Sequence, residues 1–417
     1  MKSRFYFYSC LILFSSLKLN GSEVISWQSS LNEASLGNAE LQASKNSFQS
    51  SVYQMKGTRS GFYPKVSASA GYGYDSAINP KYYSATIKAT ENLFSGFSDS
   101  SKLQQAKFAQ SASEVNLEII KSKVSFDLKN AFMGLIYSQK FIKLTEDIEK
   151  RREANLKLVQ LRFESGRENI GALELSKAYL AQSKYDLLTA LNSLEIYQAQ
   201  LSKVLGRDNF DSIEVEGFVP VLEPVFDYRK KIDYKNIAQT LPDYKKAYFN
   251  EKSALAAIDL SNSVFYPSFD LTQSAGRIKR ESTLTNNNWA LEASITFPLF
   301  NGGKDFYASK AASEEYRASV LLRKSSEEIG VTKLKQAYSS YLEAVMKLEV
   351  DKAFVLAQKT RERIAKTQYN NGLITFTDWD IIENDLILRQ KSLLQTERDR
   401  VVAEAAWEQV QGLGVIP

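Results

Sequence analysis

From Phe97 to Leu161, and again from Lys304 to Gln368, apolar residues recur at three- and four-residue intervals with no proline to interrupt them. Leu117, Val124, Leu128, Ala131, Leu135 and Ile142 step by sevens, fours and threes, which is the seam of a coiled coil. A run of about 65 residues at 1.5 Å per residue makes a rod of about 100 Å. Shorter helical patterns follow, Glu168 to Leu205 and Thr375 to Gln411. Long and short runs are joined only by small polar tips, RFESGREN and QYNNGLIT, whose glycines Gly166 and Gly372 lie 206 positions apart. Taken alone, these helices also fit a soluble antiparallel coiled coil.

Elsewhere the period changes from helical to two. Val66, Ala68, Ala70, Tyr72 and Tyr74 alternate with Lys65, Ser67, Ser69, Gly71, Gly73 and Asp75. After a turn expected at Asn79-Pro80, Ala85, Ile87 and Ala89 alternate with Ser84, Thr86 and Lys88. A second pair of runs sets Phe269 and Leu271 against Asp270 and Thr272, then Trp289, Leu291, Ala293, Ile295 and Phe297 against Asn288, Glu292 and Thr296. Such alternation predicts four strands, each with one apolar face. Arg277 breaks the parity of the third, so a bulge or loop onset is expected near Gly276.

The chain is therefore a duplication. GFYP (Gly61–Pro64) returns as VFYP (Val264–Pro267) at an offset of 203, and NLFSG (Asn92–Gly96) returns as PLFNG (Pro298–Gly302) at 206, the offset of the two glycine tips. Each half runs from an amphipathic helical stretch (Leu31 to Gly57, Tyr234 to Asn262) through a proline that favours extended chain into two strands, then into the long helix, tip and return helix.

The strands bear on function. Four cannot close a barrel, for which about eight is the practical minimum, and open edges invite aggregation, so closure requires several copies. Phe62, Tyr63, Phe94, Phe97, Phe265, Tyr266, Phe297 and Phe300 fall at one end of the strands, and Tyr72, Tyr74, Tyr82, Tyr83 and Trp289 at the other. About eleven residues, tilted near 40°, separate the belts by about 28 Å, close to the apolar band of an outer-membrane barrel. Packing in a soluble β-core is the competing reading of the aromatics. Val66, Ala68, Ala70, Leu291, Ala293 and Ile295 are the expected lipid-facing set, with Lys88 and Glu292 facing water.

Composition removes most other functions. Lys2 and Arg4 precede the apolar run Phe5 to Leu17, FYFYSCLILFSSL, with Lys18 and NGS after it, the plan of a secretory signal peptide. A buried N-terminal helix is the alternative; a lipoprotein box at Cys10 is rejected because the apolar run continues past it. Cleavage near residue 22 lowers the formal charge from +5 to +2 and removes Cys10, the only cysteine. That leaves no electrostatic footprint for a nucleic-acid partner and no thiol chemistry. The chain also has no histidine, so zinc sites and most nucleophile–base pairs are excluded, and neither enzyme activity, metal nor cofactor is expected.

Leader, duplicated strand–strand–helix–helix halves and glycine-tipped hairpins together resemble the TolC-like outer-membrane efflux protein family over nearly the whole mature chain. The resemblance implies a mainly α fold with a membrane β-barrel: a homotrimer forming a 12-stranded β-barrel on a 12-helix α-barrel. It divides the chain into signal peptide (1–22), equatorial helices (23–62), strands (63–96), long helical hairpin (97–206), equatorial segment and linker (207–263), strands (264–302), second hairpin (303–411) and tail (412–417). It implies a passive exit duct in the outer membrane of a Gram-negative bacterium, its helices in the periplasm, carrying small molecules or secreted proteins. The implied partners are outer-membrane lipid, a periplasmic adaptor, and an inner-membrane pump or ABC transporter. Ser165, Gly166, Arg167, Asn371, Gly372 and Leu373 match the adaptor-contacting tips. Tyr369, three residues before the second glycine, and Asp378, six after it, match the periplasmic gate. A further pore acid of the family falls on Ile381, beside Asp380. The family partner of the tyrosine falls on Ala172, which puts that closed-state hydrogen bond in doubt. Asp378 also fits a first-turn acid favoured by the helix dipole. The alternative function is a non-conducting, periplasm-spanning structural protein anchored in the outer membrane.

Overall fold

The computed structural model describes residues 23–74, 81–208, 213–221, 232–280 and 286–417. The expected leader with Cys10, and the expected turn at Asn79-Pro80, lie outside the described residues. In the first half, β1 (Glu23–Ser26), α1 (Trp27–Gly37) and α2 (Ala39–Thr58) lead to β2 (Lys65–Tyr74), β3 (Lys81–Ser95), α3 (Ser98–Glu164) and α4 (Ile170–Leu205). The second half repeats the plan with β4 (Ile213–Glu216), α5 (Tyr234–Ala238), α6 (Pro242–Asn262), β5 (Ser268–Arg280), β6 (Asn286–Thr296), α7 (Lys304–Asn370) and α8 (Phe376–Val410).

The long helices match the expected rods, and the predicted seam is real in its middle. Val124, Leu128, Ala131 and Leu135 are buried with Phe132 in the main core, closed by Leu41 of α2 and by Leu201 and Leu205 of α4. Leu117 packs against this core half-buried, and Ile142 is half-buried too. Each buried leucine contributes about 1.5–3 kcal/mol of transfer free energy.

The equatorial stretches, expected to be continuous, are each broken. Asn38 divides α1 from α2: its Oδ1 accepts the Leu41 N–H at 2.9 Å as an N-cap, and its Nδ2 donates to the Val204 carbonyl at 2.8 Å. Pro242 starts α6 at a first-turn position, where its missing N–H costs nothing. A short parallel pair, β1 with β4, adds Ile25, Ile213 and Val215 to the core, and Trp27 meets Phe132 edge to face at 5.3 Å.

The four longer strands form one antiparallel sheet in the order β2-β3-β5-β6. Registers Val66↔Ala89, Ala68↔Ile87 and Ala70↔Ala85 continue through Ala89↔Gln273, Ile87↔Ala275 and Ala85↔Arg277 to Gln273↔Leu291 and Ala275↔Trp289. Directly paired residues share a face, so Val66, Ala68, Ala70, Leu291, Ala293 and Ile295 all lie on one side. Lys88, across from Ser67 and Ser274, and Glu292, across from Thr272, lie on the other.

One expectation fails in detail, and one aromatic of the far end lies off the apolar face. There is no break at Gly276: β5 keeps its ladder through Arg280, because ladder hydrogen bonds use backbone atoms and tolerate a charged side chain. Arg277 therefore sits on the apolar face, and the register irregularity falls between Asn92 and Phe94 instead. Tyr82 does not share a face with Tyr72 and Tyr83. It lies across from Gly73, and a Cβ at Gly73 would meet the Tyr82 ring at 2.4 Å. The far belt on the apolar face is the Tyr72–Tyr83 pair, at 5.1 Å. The near belt is closed by Phe94 with Phe97 (5.1 Å) and Phe269 (6.0 Å), and by Phe97 with Tyr266 (5.4 Å).

Candidate functional site

The hairpin tips are built by the same backbone device. At the first, Gly166 (φ 70°) lets its N–H reach the Phe163 carbonyl at 2.9 Å and Arg167 N–H reach the Arg162 carbonyl at 2.8 Å. At the second, Gly372 (φ 75°) does the same with Tyr369, and Leu373 with Gln368, both at 2.9 Å. This closure needs a left-handed residue, which glycine adopts without strain. All six tip residues, Ser165, Gly166, Arg167, Asn371, Gly372 and Leu373, are exposed, and Leu373 keeps 71% of its surface free.

The following helices are capped differently. Asn169 accepts the Ala172 N–H at 2.9 Å. Thr375 and Asp378 form a reciprocal capping box: Asp378 N–H donates to Thr375 Oγ1 at 3.2 Å, while Thr375 N–H and Oγ1 donate to Asp378 Oδ2 at 3.2 and 2.7 Å. The bonds from Thr375 hold the Asp378 carboxyl below its usual range, so it is charged at neutral pH. Its side chain faces solvent, and only Oδ2 is used by the cap.

Asp380 points the other way and is buried. Its Oδ2 accepts from Tyr179 Oη at 2.8 Å and Asn384 Nδ2 at 3.1 Å, and Oδ1 lies 3.7 Å from Arg152. Burial pushes its pKa up, against the Tyr179 bond and the Arg152 charge. Arg152 lies over the Tyr179 ring at 4.4 Å and also donates to Asn384 Oδ1. Next to it, the buried Glu383 is 3.6 Å from Arg151. Asp380 is thus a tie between the two hairpins of one chain, remote from solvent.

Tyr369 belongs to a second such tie, at the tips themselves. Its ring is 1% exposed, stacked on Trp379 at 4.6 Å and edge-on to Phe376. Its Oη donates to Glu168 Oε2 at 3.0 Å. Arg162 covers the ring at 4.4 Å and donates from Nη1 to the Tyr369 carbonyl at 2.6 Å. Burial, then the Glu168 bond, push the phenol pKa well up, so it stays a donor at all ordinary pH. Ala172 offers no carboxylate to the tyrosine; Glu168, just before α4, does. Arg162, Glu168 and Trp379 were not predicted. RFESGREN contains the first two, but nothing in their spacing says that the other tip lies against them.

In the sheet, the polar face carries Lys88 and Glu292 together with a hydrogen bond from Asn92 to Asp270 (2.8 Å) and one between Thr90 and Thr272 (3.3 Å). Among the described residues no helix is long and apolar enough to cross a membrane, and no cluster of acids could hold a metal ion. The arrangement is a sheet with one polar face and, far along the helices, two exposed hairpin tips tied to one another by Tyr369, Glu168 and Arg162.

The chain matches the outer membrane efflux protein family over residues 30–207 and 234–413. It is 24% identical over 380 residues to the toluene efflux pump outer membrane protein TtgC of Pseudomonas putida, covering 83% of this chain and 72% of that protein. It is 22% identical over 447 residues to the outer membrane efflux protein BepC of Brucella suis, covering 96% and 90%. Among solved structures, the outer membrane protein VceC of Vibrio cholerae superposes with a TM-score of 0.79 at 18% identity over 93% of this chain and 96% of that one. Two matched segments that coincide with the duplicated halves, and a shared fold along nearly the whole length, carry one conclusion: the chain belongs to the outer membrane efflux protein family and serves as an exit duct in the outer membrane.

Proposed function

We propose that three copies of this chain close a twelve-stranded barrel in lipid and continue it as a helical tunnel through the periplasm, conducting cargo passively. The observation that carries this is the four-stranded sheet, apolar on one face and polar on the other, with β2 and β6 as its open edges. Such a sheet satisfies its edge hydrogen bonds and hides its apolar face only by joining copies of itself within a bilayer. Two copies would give eight strands and three give twelve; the resemblance to the TolC-like family favours three.

The exposed tip residues, Ser165 to Arg167 and Asn371 to Leu373, dock on a periplasmic adaptor that links the duct to an inner-membrane pump or ABC transporter, and energy enters there. The tie of Tyr369, Glu168 and Arg162 keeps the inner mouth narrow, and Asp378 on three subunits presents a ring of carboxylates that favours cations. Lys88 and Glu292 line the water-filled side of the barrel. The relative named for toluene efflux supports small molecules as cargo over secreted proteins.

The test is conductance. Protein purified in gentle detergent should run at the mass of a trimer and give discrete single-channel steps in planar bilayers. Trimers that insert but pass no current would establish the structural-anchor function instead.

A further inference from the structure

The apolar face of the sheet is not uniform in charge. Near Phe94 and Phe269 it carries one acid among the described residues, Glu91, across from Leu271. At the opposite end it carries cations. Arg277 lies across from Ala85, Lys279 across from Tyr83, and Lys81 two residues from Tyr83 on the same face. Arg277 and Lys279 are exposed, and among the described residues neither they nor Lys81 has a carboxylate partner. Same-face neighbours on one strand are about 6.6 Å apart and paired residues about 5 Å apart, so the three cations form one patch around the Tyr72–Tyr83 pair.

The height of the patch matters. From Phe269 to Lys279 is ten residues, about 33 Å of strand, or about 25 Å along the barrel axis at a tilt near 40°, which is the height of an outer-membrane apolar band. Lys279 therefore sits at the outer boundary, and Arg277 just inside it, from where its long stem can carry the guanidinium outward. Two shallow depressions run together here. One, of about 740 Å³, is bordered by Tyr72, Tyr83, Arg277 and Lys279. The other, of about 460 Å³, shares Ala70, Ala85 and Arg277 with it and continues down the face over Ala68, Ile87 and Ala275. A cationic pocket over an alanine-floored trough fits a molecule with an anionic head and an alkyl tail. A free inorganic anion would leave the trough unused.

We infer that Arg277, Lys279 and Lys81 hold the phosphate of an outer-leaflet lipid headgroup, with the acyl chain lying in the trough over Ala70, Ala85 and Ala275. The inference rests on the reading that this face meets lipid, and the experiment separates the two. Trp289 lies across from Ala275 and is 79% exposed, whereas the other tryptophans, Trp27, Trp379 and Trp407, are on α1 and α8. Quenching of tryptophan fluorescence by bilayer lipid with brominated chains therefore reports on this trough. The full-length trimer is reconstituted in vesicles of phosphatidylcholine containing brominated phosphatidic acid or, at the same mole fraction, brominated phosphatidylcholine.

Phosphatidic acid should associate more strongly by about fivefold or more, the factor of one surface cation acting on an anionic lipid, and less so at high salt. The R277Q/K279Q trimer keeps only Lys81 of the three cations and should lose most of this preference. Equal quenching in the unsubstituted protein, or an undiminished preference in R277Q/K279Q, would overturn the lipid site while leaving the lipid-facing assignment intact. Absence of quenching by either lipid would overturn the lipid-facing assignment, and the site with it.

Discussion

The two 67-residue helices share length, sequence plan and tip closure, yet they live in different surroundings. α3 is wrapped by its own chain, packed by α2, α4, α6 and α8, and buries nineteen of its residues; α7, packed by α5, α6 and α8, buries eight. Many of the apolar residues that α7 does not bury are in the open: Leu321, Leu322, Val350, Phe354, Leu356 and Ile364 all stand exposed. The same coiled-coil pattern therefore serves as an internal core in one copy and as unspent adhesive surface in the other. Exposed apolar surface of this extent is a mark of association, and a neighbouring subunit is the partner that the proposed tube supplies.

The largest predicted effect separates these two roles. Leu128 is completely buried in α3, so Leu128→Ala should cost about 2–5 kcal/mol of helical-domain stability. Leu356, 71% exposed on α7, should cost the subunit under about 0.5 kcal/mol when changed to alanine. Leu356→Ala should instead shift the trimer–monomer ratio. Thermal unfolding followed by circular dichroism and mass measurement in detergent read the two separately. Comparable losses of helical stability from both changes would mean that α7 is covered within its own chain.

A second contrast is between neighbours on β6. Ala293 and Glu292 differ by one position and therefore by face. Ala293→Arg places a charge on the apolar face across from Leu271, at a cost between the about 0–1 kcal/mol of the band's boundary and the about 2–4 kcal/mol of its middle, while Glu292→Arg should cost little. Trimer yield after refolding into lipid is the measurement. Equal yields would show that the assignment of faces to lipid and water is wrong.

The features that were readable in advance depend on local periodicity. A 3.6-residue pattern without proline placed α3 and α7 to within three residues of their ends, and period-two alternation put Lys88 and Glu292 on the face opposite Leu291 and Ala293. Elements without a period were invisible: β1 and β4 are four residues each, and the Asn38 break depends on a carbonyl of α4. Arg277 misled because side-chain parity was taken to control the backbone. The candidate site was half legible for a related reason. Gly166 and Gly372 announce the tips by themselves, and Asp378 announces a cap. That Arg162 lies on Tyr369, 207 positions away, and that Asp380 faces Arg152, follow only from how the hairpins align side by side.

The smallest predicted effect compares the tips. At the duplicated offset of 206, Tyr369 corresponds to Phe163, and Trp379 to Leu173. Both tips close on glycine, but only the second can donate a phenolic hydrogen bond to the other hairpin. Tyr369→Phe removes that bond to Glu168 and leaves the stacking on Trp379 and the Arg162 contact in place, because neither needs the hydroxyl. Glu168 is half-buried, so water can replace the phenol, and the loss should be about 0.5–1.5 kcal/mol per subunit. By the proposed gating this raises the open probability of single channels without changing trimer yield. The pH dependence has a definite sign. A phenol whose folded pKa is raised contributes stability that is complete below its ordinary value of about 10 and is lost only as pH rises above it. Channel opening should thus show no tyrosine-linked step between pH 5 and 9, and the difference between Tyr369→Phe and the parent should be constant there. Unchanged open probability in Tyr369→Phe would show that the tie at the tips is structural only and that the mouth is held by other contacts.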